Sequence, residues 1–353
     1  MNAPVKAATR VRAPDLRDAG EVRRIEGFVA ENGGSLFHRP AWLLGVAAGT
    51  GQRAAGLVAE RLGTVTGWLP LTEVRSGLFG KALVSSGFGV GGGIIAETEE
   101  AARGLAHAAQ AHAASGGFSG IELRGGPVPE GWDSWSDKHC GFERALAGDD
   151  EAELLAIPRK ARAEVRKGLG FGHRVTVGRG RGDLAAHYAC YSASVRNLGT
   201  PVFPKRLFAA MIEAFPDSSD ILTVWQGETP LASVLSFYHV GAVLPYWGGG
   251  VFAARAARAN EVMYYELMLH ARRKGMARFD FGRSKTGSGP FAFKKNWGFE
   301  PQPLTYAAWT APGARQRNID PTDASYSRKI ALWKKLPLPI ANTVGPWIAR
   351  GLA

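Results

Sequence analysis

Three side chains near the end of this chain have the types needed for acid–base work on a carbonyl. Asp280 can position an amine or accept its proton, and Lys294 can hold an ammonium where an oxyanion develops. Tyr265, or its neighbour Tyr264, can return a proton to a leaving group; adjacent residues of a helix cannot share a face, so at least one of the two packs inward. Asp280 alternates with Phe279 and Phe281, the period of a strand with one apolar face, and so points away from both rings. Its competing role is structural, in an ion pair with Arg278 or Arg283. Lys294 competes with the ordinary reading of a solvated lysine, and Lys295 faces the other way if this run is a strand.

The surrounding segment, 278–298, favours a site. Gly282, Gly287, Ser288 and Gly289 leave the turns nearly bare, so that a ligand or second segment can approach the backbone. Arg283, Lys285, Lys294 and Lys295 surround them with positive charge; the plain alternative is a tight surface loop. Arg283 and Ser284 are candidate substrate contacts, as are Tyr246 and Trp247, which end a strand just before Gly248–Gly250, where clefts open in α/β sheets. In the first half, Phe37, His38, Arg39 and Trp42 are candidates for a facing wall. His38 also reads as a general base or, like most lone histidines, as a hydrogen-bonded structural residue. Neither a Ser-His-Asp nor a Cys-His arrangement is legible.

These groups need a scaffold, and the chain repeats one. Asp18–Ala30 and Ala41–Ala48 read as helices; 56–61 and 65–73 form a hairpin turning at 62–64. A strand at Leu83–Phe88, an alanine-rich helix at Glu99–Ser115 and a strand at Gly120–Arg124 follow. The same order returns as helices Asp183–Leu198 and Pro204–Phe215, a hairpin of Ile221–Trp225 with Leu231–His239, strand Ala242–Trp247, helix Glu261–Lys274 and strand Arg278–Phe281. The glycine run 87–93 lacks the lysine of a phosphate loop and reads as a bulge or loop. Arg159–Gly168 is a basic helix with Arg159, Arg162 and Arg166 on one face, suited to phosphate or simply solvated.

The chain resembles the FemAB-type peptidyl and aminoacyl transferases, in the branch associated with exosortase (PEP-CTERM) and exopolysaccharide systems. The resemblance rests on Phe37–Trp42, Trp68–Ser85, Ile121–Arg124, Arg196–Pro204, Tyr264–Leu267, Phe279–Trp297 and Trp333–Asn342, and spans residues 15 to 350. It implies an α/β (α+β) fold of two tandem GNAT-like acyltransferase domains, each a mixed sheet flanked by helices. The expected division is a disordered basic start at 1–14, domains at 15–155 and 156–312 with the active cleft in the second, and a tail at 313–353. It further implies transfer of an acyl or aminoacyl group from acyl-CoA or aminoacyl-tRNA, used as co-substrate with no tightly bound cofactor, to an amine of an envelope or polysaccharide precursor. In such a unit the carrier's phosphates sit at the helix start after the fourth strand. Here that is 251–260, with Arg255, Arg258 and Asn260, the last as N-cap. Arg255-Ala-Ala-Arg258 keeps the charge of the usual acetyl-CoA pattern but not its glycines, and a solvated arginine loop is the competing reading. No coiled-coil arm of the length that aminoacyl-tRNA enzymes often carry is legible.

Composition fits this frame. The 353 residues suffice for two domains, and 45% hydrophobic with 21% charged is ordinary for a globular protein. A net charge of +12 favours anionic partners without choosing among them. Cys140 and Cys190 stand far apart, which argues for buried free thiols rather than zinc or a disulfide. No run approaches a membrane span, so the expected place is cytoplasmic or peripheral to the inner membrane. The tail at 330–350 is broken by Pro337, Pro339 and Pro346. Its Trp333 and Trp347 beside Lys334, Lys335 and Arg350 suit either a membrane-interface anchor or a strap packing Trp333, Leu336, Leu338 and Ile340 across the domains.

Overall fold

The computed structural model describes residues 8–315 and 327–352. In chain order, the first elements are β1 (Arg10–Arg12), α1 (Ala19–Glu31), α2 (Pro40–Thr50), β2 (Arg53–Arg61), β3 (Thr64–Ser76), β4 (Gly80–Ser85) and β5 (Ile95–Ala96). Then come α3 (Glu99–Gly116), β6 (Gly120–Arg124), β7 (Asp133–Trp135), β8 (His139–Ala145), α4 (Asp150–Ala156), α5 (Arg159–Leu169) and β9 (Arg174–Gly178). These lead to α6 (Arg181–Leu198), α7 (Lys205–Ala214), β10 (Ser219–Gln226), β11 (Thr229–His239), β12 (Ala242–Gly250), α8 (Ala259–Arg273) and β13 (Arg278–Asp280). The chain closes with β14 (Ser284–Lys285), α9 (Gly289–Asn296), β15 (Pro301–Pro303), β16 (Tyr306–Thr310), α10 (Ser327–Lys335) and α11 (Leu338–Ala349).

Local chemistry sets the element ends. Asp18 caps α1 through Gly20 N, and Thr98 caps α3 with Glu99 and Glu100 in its first turn, where the helix dipole favours anions. Pro40 opens α2, which ends at Gly51 in the left-handed region. Buried β-branched and aromatic residues make β3 and β11 central strands, closed in from both faces.

The chain divides into two compact units, 1–136 with 304–320 and 350–353, and 137–303 with 321–349. The boundaries fall earlier than the sequence suggests. The segment 137–155 belongs to the second unit because β8 pairs with β13, β14 and β15; β16 belongs to the first because it pairs with β6 and β7. The first sheet runs β1-β2-β3-β4-β6-β16-β7, with β5 beside β3. The second runs β14-β8-β13-β12-β11-β10-β9, with β15 beside β8. In each, an antiparallel hairpin and a third strand are followed by a helix and a parallel strand: β4 with β6, β12 with β13. That is the repeated order read from the sequence.

Two expectations change. The basic start is ordered from β1 onward: Arg12 donates to Glu60 and Glu21, holding the strand against β2 and α1, so disorder does not extend to residue 14. Residues 1–7 of that stretch and 316–326 of the tail lie outside the described residues. Residues 289–296 form a helix rather than a second strand, because Ser288 caps it through Phe291 N and Pro290 occupies its first turn. Among the described residues no helix is long and apolar enough to cross a membrane.

Each unit is closed by its own apolar core, around Leu69, Leu83, Leu105 and Ile121 in the first and Val234, Met263, Phe279 and Trp297 in the second. Both cysteines are free and buried, and burial pushes the Cys190 thiol up to about 12. A buried polar network ties β10, β11 and α8 of the second unit. Asp220 accepts from Tyr238 Oη (2.7 Å), His270 Nε2 (2.9 Å) and Lys274 Nζ (3.3 Å). Burial works against its charge, but the hydrogen bonds from His270 and Tyr238 outweigh that and hold its carboxyl below the usual range. The stability it contributes is therefore present above the ordinary carboxylate pKa and is lost as pH falls through the lower, folded value. Asp220→Ala strands three donors and is expected to cost about 3–5 kcal/mol. Denaturant unfolding at neutral pH tests this; an unchanged midpoint would show the network to be dispensable.

Candidate functional site

The second sheet opens at one place. β12 and β13 pair only at Ala242 with Arg278 and Val243 with Phe279. β12 then runs on to Gly250, whereas β13 stops at Asp280 and the chain follows β8 instead: Phe281 N donates to Phe142 O (2.7 Å), and β14 pairs with Cys140 and His139. From Leu244 onward, that edge of β12 has no strand partner among the described residues. A bulge at Tyr246 shifts β12 against β11 over the same stretch.

Asp280 stands where the two strands part. Phe279 and Phe281 are buried in the core and Asp280 is half-buried between them, as the alternation requires. Arg278 pairs with Glu143 of the neighbouring strand (2.7 Å), and the Asp280 carboxylate accepts from Gly282 N (2.9 Å). Burial raises its pKa, with Glu143, its cross-strand neighbour, adding like charge.

Lys294 comes to the same turn from α9. It is buried, and its Nζ donates to Gly282 O (3.1 Å) and Arg283 O (3.0 Å), with the Phe142 and Phe281 rings within 5.4 Å. Burial pushes its pKa down to about 8, and the Asp280 charge partly restores its affinity for the proton. Two of its three N–H groups are thus used on backbone, and the pair is close enough for each to shift the other. Ser284 is buried beside them with no hydrogen-bond partner for its Oγ among the described residues. Lys295 is exposed.

The aromatic candidates separate. Tyr265 is buried and its hydroxyl donates to Asp150 O (3.0 Å), which ties α8 to α4; it is not placed to serve a leaving group. Tyr264 is the member of the pair that faces the Asp280 segment, against Phe281, Phe293 and Trp297, and burial pushes its phenol up to about 12. Both tyrosines therefore pack inward, on different sides of α8. Trp247 is a core residue against Phe208 and Phe237, while Tyr246 is half-buried at the bulge.

At the start of α8 the N-cap is Arg258, in the left-handed region (φ 52°), not Asn260, whose amide instead lies beside Gly250. Arg258 is engaged by Glu164 of α5 and by Arg255 O, so only Arg255 keeps an exposed guanidinium, over the equally exposed Phe252 ring (5.8 Å).

The first-unit candidates hold a loop. Trp42 is fully buried and its indole donates to Gly87 O (3.1 Å); His38 bonds Gly93 O through Nε2 (3.1 Å) and Ser35 through Nδ1 (2.9 Å). Trp42 offers no surface to a substrate, and both imidazole nitrogens of His38 are taken. Glu143 is the residue that sequence reasoning did not bring to the site; Ser284 was already a candidate substrate contact, and only the state of its hydroxyl is new. Glu143 sits on β8, where buried Cys140 and Phe142 alternate over too few residues to mark the strand in the sequence, and the hydroxyl's lack of a partner has no sequence signal.

Residues 158–295 match the family described as Acetyltransferase (GNAT) domain. No curated protein matches the chain. Among solved structures, FemX superposes with a TM-score of 0.64 at 16% identity, covering 81% of this chain and 95% of that one. A tandem GNAT protein from the clavulanic acid biosynthesis pathway gives 0.55 at 12% identity over 87% and 100%. The C-terminal domain of a putative lysylphosphatidylglycerol synthetase from Agrobacterium fabrum gives 0.55 at 12% over 83% and 93%. At these identities the structures speak for the fold, two tandem GNAT-like units of mixed sheet and flanking helices. Residues 158–295 are thus similar to a GNAT-type acetyltransferase domain, and on that match the chain is an acyltransferase.

Proposed function

We propose that the second unit is an N-acyltransferase of the FemAB kind. It moves an acyl or aminoacyl group from acyl-CoA or aminoacyl-tRNA to an amine of an envelope or exopolysaccharide precursor. The exosortase-associated setting, which rests on the sequence resemblance, and a cytoplasmic location belong to the same proposal. The observation that carries it is the Asp280–Gly282–Lys294 arrangement at the point where β12 and β13 part. A half-buried carboxylate with raised pKa and a buried ammonium with lowered pKa, both bonded to one turn, form an acid–base pair at a gap in a sheet.

The chemistry runs in a ternary complex. The acceptor amine attacks the donor carbonyl, forming the C–N bond while Asp280 takes the amine proton. The remaining N–H of Lys294 faces the oxyanion, and collapse breaks the bond to the carrier's sulfur or oxygen, which leaves with a proton from the medium. No covalent enzyme intermediate is needed. One observation favours a second reading, a catalytically silent ligand-binding module: the loop before α8 has lost the glycines of the usual pattern and spends Arg258 on Glu164. Calorimetry with acetyl-CoA and with an aminoacyl-tRNA, followed by thiol release in the presence of primary amines, separates the two, since binding without turnover selects the silent module.

Asp280→Asn is expected to lower turnover by about 10²-fold with the melting temperature kept. An early-melting variant that keeps its specific activity would make Asp280 structural. The reaction needs Asp280 ionised and Lys294 protonated. The kcat/KM profile should therefore fall on the acid side above the ordinary carboxylate range, and on the alkaline side near about 8. Lys294→Arg should remove the alkaline limb; its persistence would assign that limb to another group.

Arg255→Ala should weaken acetyl-CoA binding severalfold and flatten its salt dependence, whereas Arg258→Ala should change binding little. Equal effects of the two at low ionic strength would remove Arg255 from the donor site.

A further inference from the structure

The helix α11 has its large and small residues on the opposite sides from an ordinary surface helix. Ala341, Gly345 and Ala349, at i, i+4 and i+8, are buried, and Gly345 lies against the backbone of Val202. Ile340, Val344 and Trp347, at i, i+4 and i+7, form the opposite stripe and are 48%, 41% and 54% exposed. Leu332 of α10 is 67% exposed as well. Elsewhere the tail is held to α6 and the residues after it: Trp333 Nε1 donates to Thr200 O (3.1 Å), and the Arg196 side chain donates to the Lys334 backbone carbonyl (3.1 Å). The residues that hold the tail and those of the outward apolar face are thus different; Ile340, expected in a strap, belongs to the outward face, and Trp333 and Trp347 have different tasks.

Charge identifies what the outward face meets. α11 contains no charged residue, while exposed Lys334 and Lys335 end α10 and exposed Arg350 follows α11 directly. From 327 to 350 the chain has Arg328, Lys329, Lys334, Lys335 and Arg350 and neither Asp nor Glu. An apolar stripe with a tryptophan, bracketed only by cations, is complementary to a bilayer interface with anionic headgroups. A helix of 12 residues spans about 18 Å at ~1.5 Å per residue, short of the ~30 Å hydrocarbon core, so it lies on the surface rather than crossing it.

We propose that α11 docks the protein flat on an anionic phospholipid surface, inserting Ile340, Val344 and Trp347 with Lys334 and Lys335 at the headgroups. The test is co-sedimentation of the full chain with vesicles of phosphatidylcholine containing 30% phosphatidylglycerol, and with pure phosphatidylcholine. Binding to the anionic vesicles is expected. It should fall at least tenfold in I340S/V344S/W347S at an unchanged melting temperature, and fall similarly in K334Q/K335Q. W347S alone is the milder variant should the triple one fold poorly. A parent chain left in the supernatant, or a triple variant that binds like the parent, overturns the proposal. Equal binding to neutral vesicles overturns the choice of an anionic surface. A parent dimer that the triple variant turns into monomer assigns the face to a second copy instead. None of these readouts depends on turnover, so they stand apart from the acyltransferase assignment.

Discussion

The turn at Gly282 holds the candidate site together. With φ at 68° it is in the left-handed region, which a residue bearing a Cβ enters only at a cost. In that conformation its N–H reaches back to Asp280 Oδ1 while its carbonyl accepts from Lys294 Nζ. One peptide segment therefore fixes a carboxylate from β13 and an ammonium from α9. A Cβ at this position would meet nothing within 4 Å, so the demand for glycine comes from the backbone and not from crowding. The turn also redirects the chain from β12 to β8, and the gap in the sheet and the charged pair beside it have the same origin.

Burial then gives the pair its chemistry. A carboxylate and an ammonium on a wet surface would keep their ordinary pKa values and exchange hydrogen bonds with water. Here the Phe142 and Phe281 rings exclude water from one side of Lys294 and burial desolvates Asp280, so each charge is destabilised and each is partly rescued by the other. Glu143 and Arg278 hold each other across the strands, and among the described residues the Asp280 carboxylate accepts from the Gly282 backbone at one oxygen.

The sequence showed part of this, for identifiable reasons. Asp280 was legible because a strand's period is unmistakable when its neighbours are Phe279 and Phe281. Lys294 was legible as a residue but not as a helical one: Phe291-Ala-Phe293 imitates strand alternation, and the signal that decides against it, Ser288 followed by Gly289-Pro290, is a cap. The choice between Tyr264 and Tyr265 needed the position of Asp150, which is distant in sequence. The hairpins and long helices were legible from periodicity, whereas β8 and β16 were not. A short strand added at the far side of a sheet is specified by its partners more than by its own residues. The unit boundaries followed those two strands.

The first unit shows what the same topology becomes when the gap is filled. There, too, the parallel pair is brief, Leu83 with Ile121 and Val84 with Glu122. In place of the second half of β12, however, the chain after β4 is the glycine-rich loop, with Ser86 and Phe88 in the left-handed region. Four of its carbonyls accept side-chain donors: Gly87 from Trp42, Gly89 from Arg124, Val90 from Tyr306 and Gly93 from His38. Arg124, at the end of β6, is spent on that loop and on Glu122. Matching the two parallel registers sets Leu123 where the second unit has Asp280. The first unit thus has neither the carboxylate nor an open strand edge at this place. Polar groups that are satisfied within the fold stabilise it, and groups left with unused hydrogen-bonding capacity in a gap are available to a ligand. On that physical ground the repeated scaffold has two forms, with an open strand edge beside a charged pair in the second unit and a tightly bonded loop in the first.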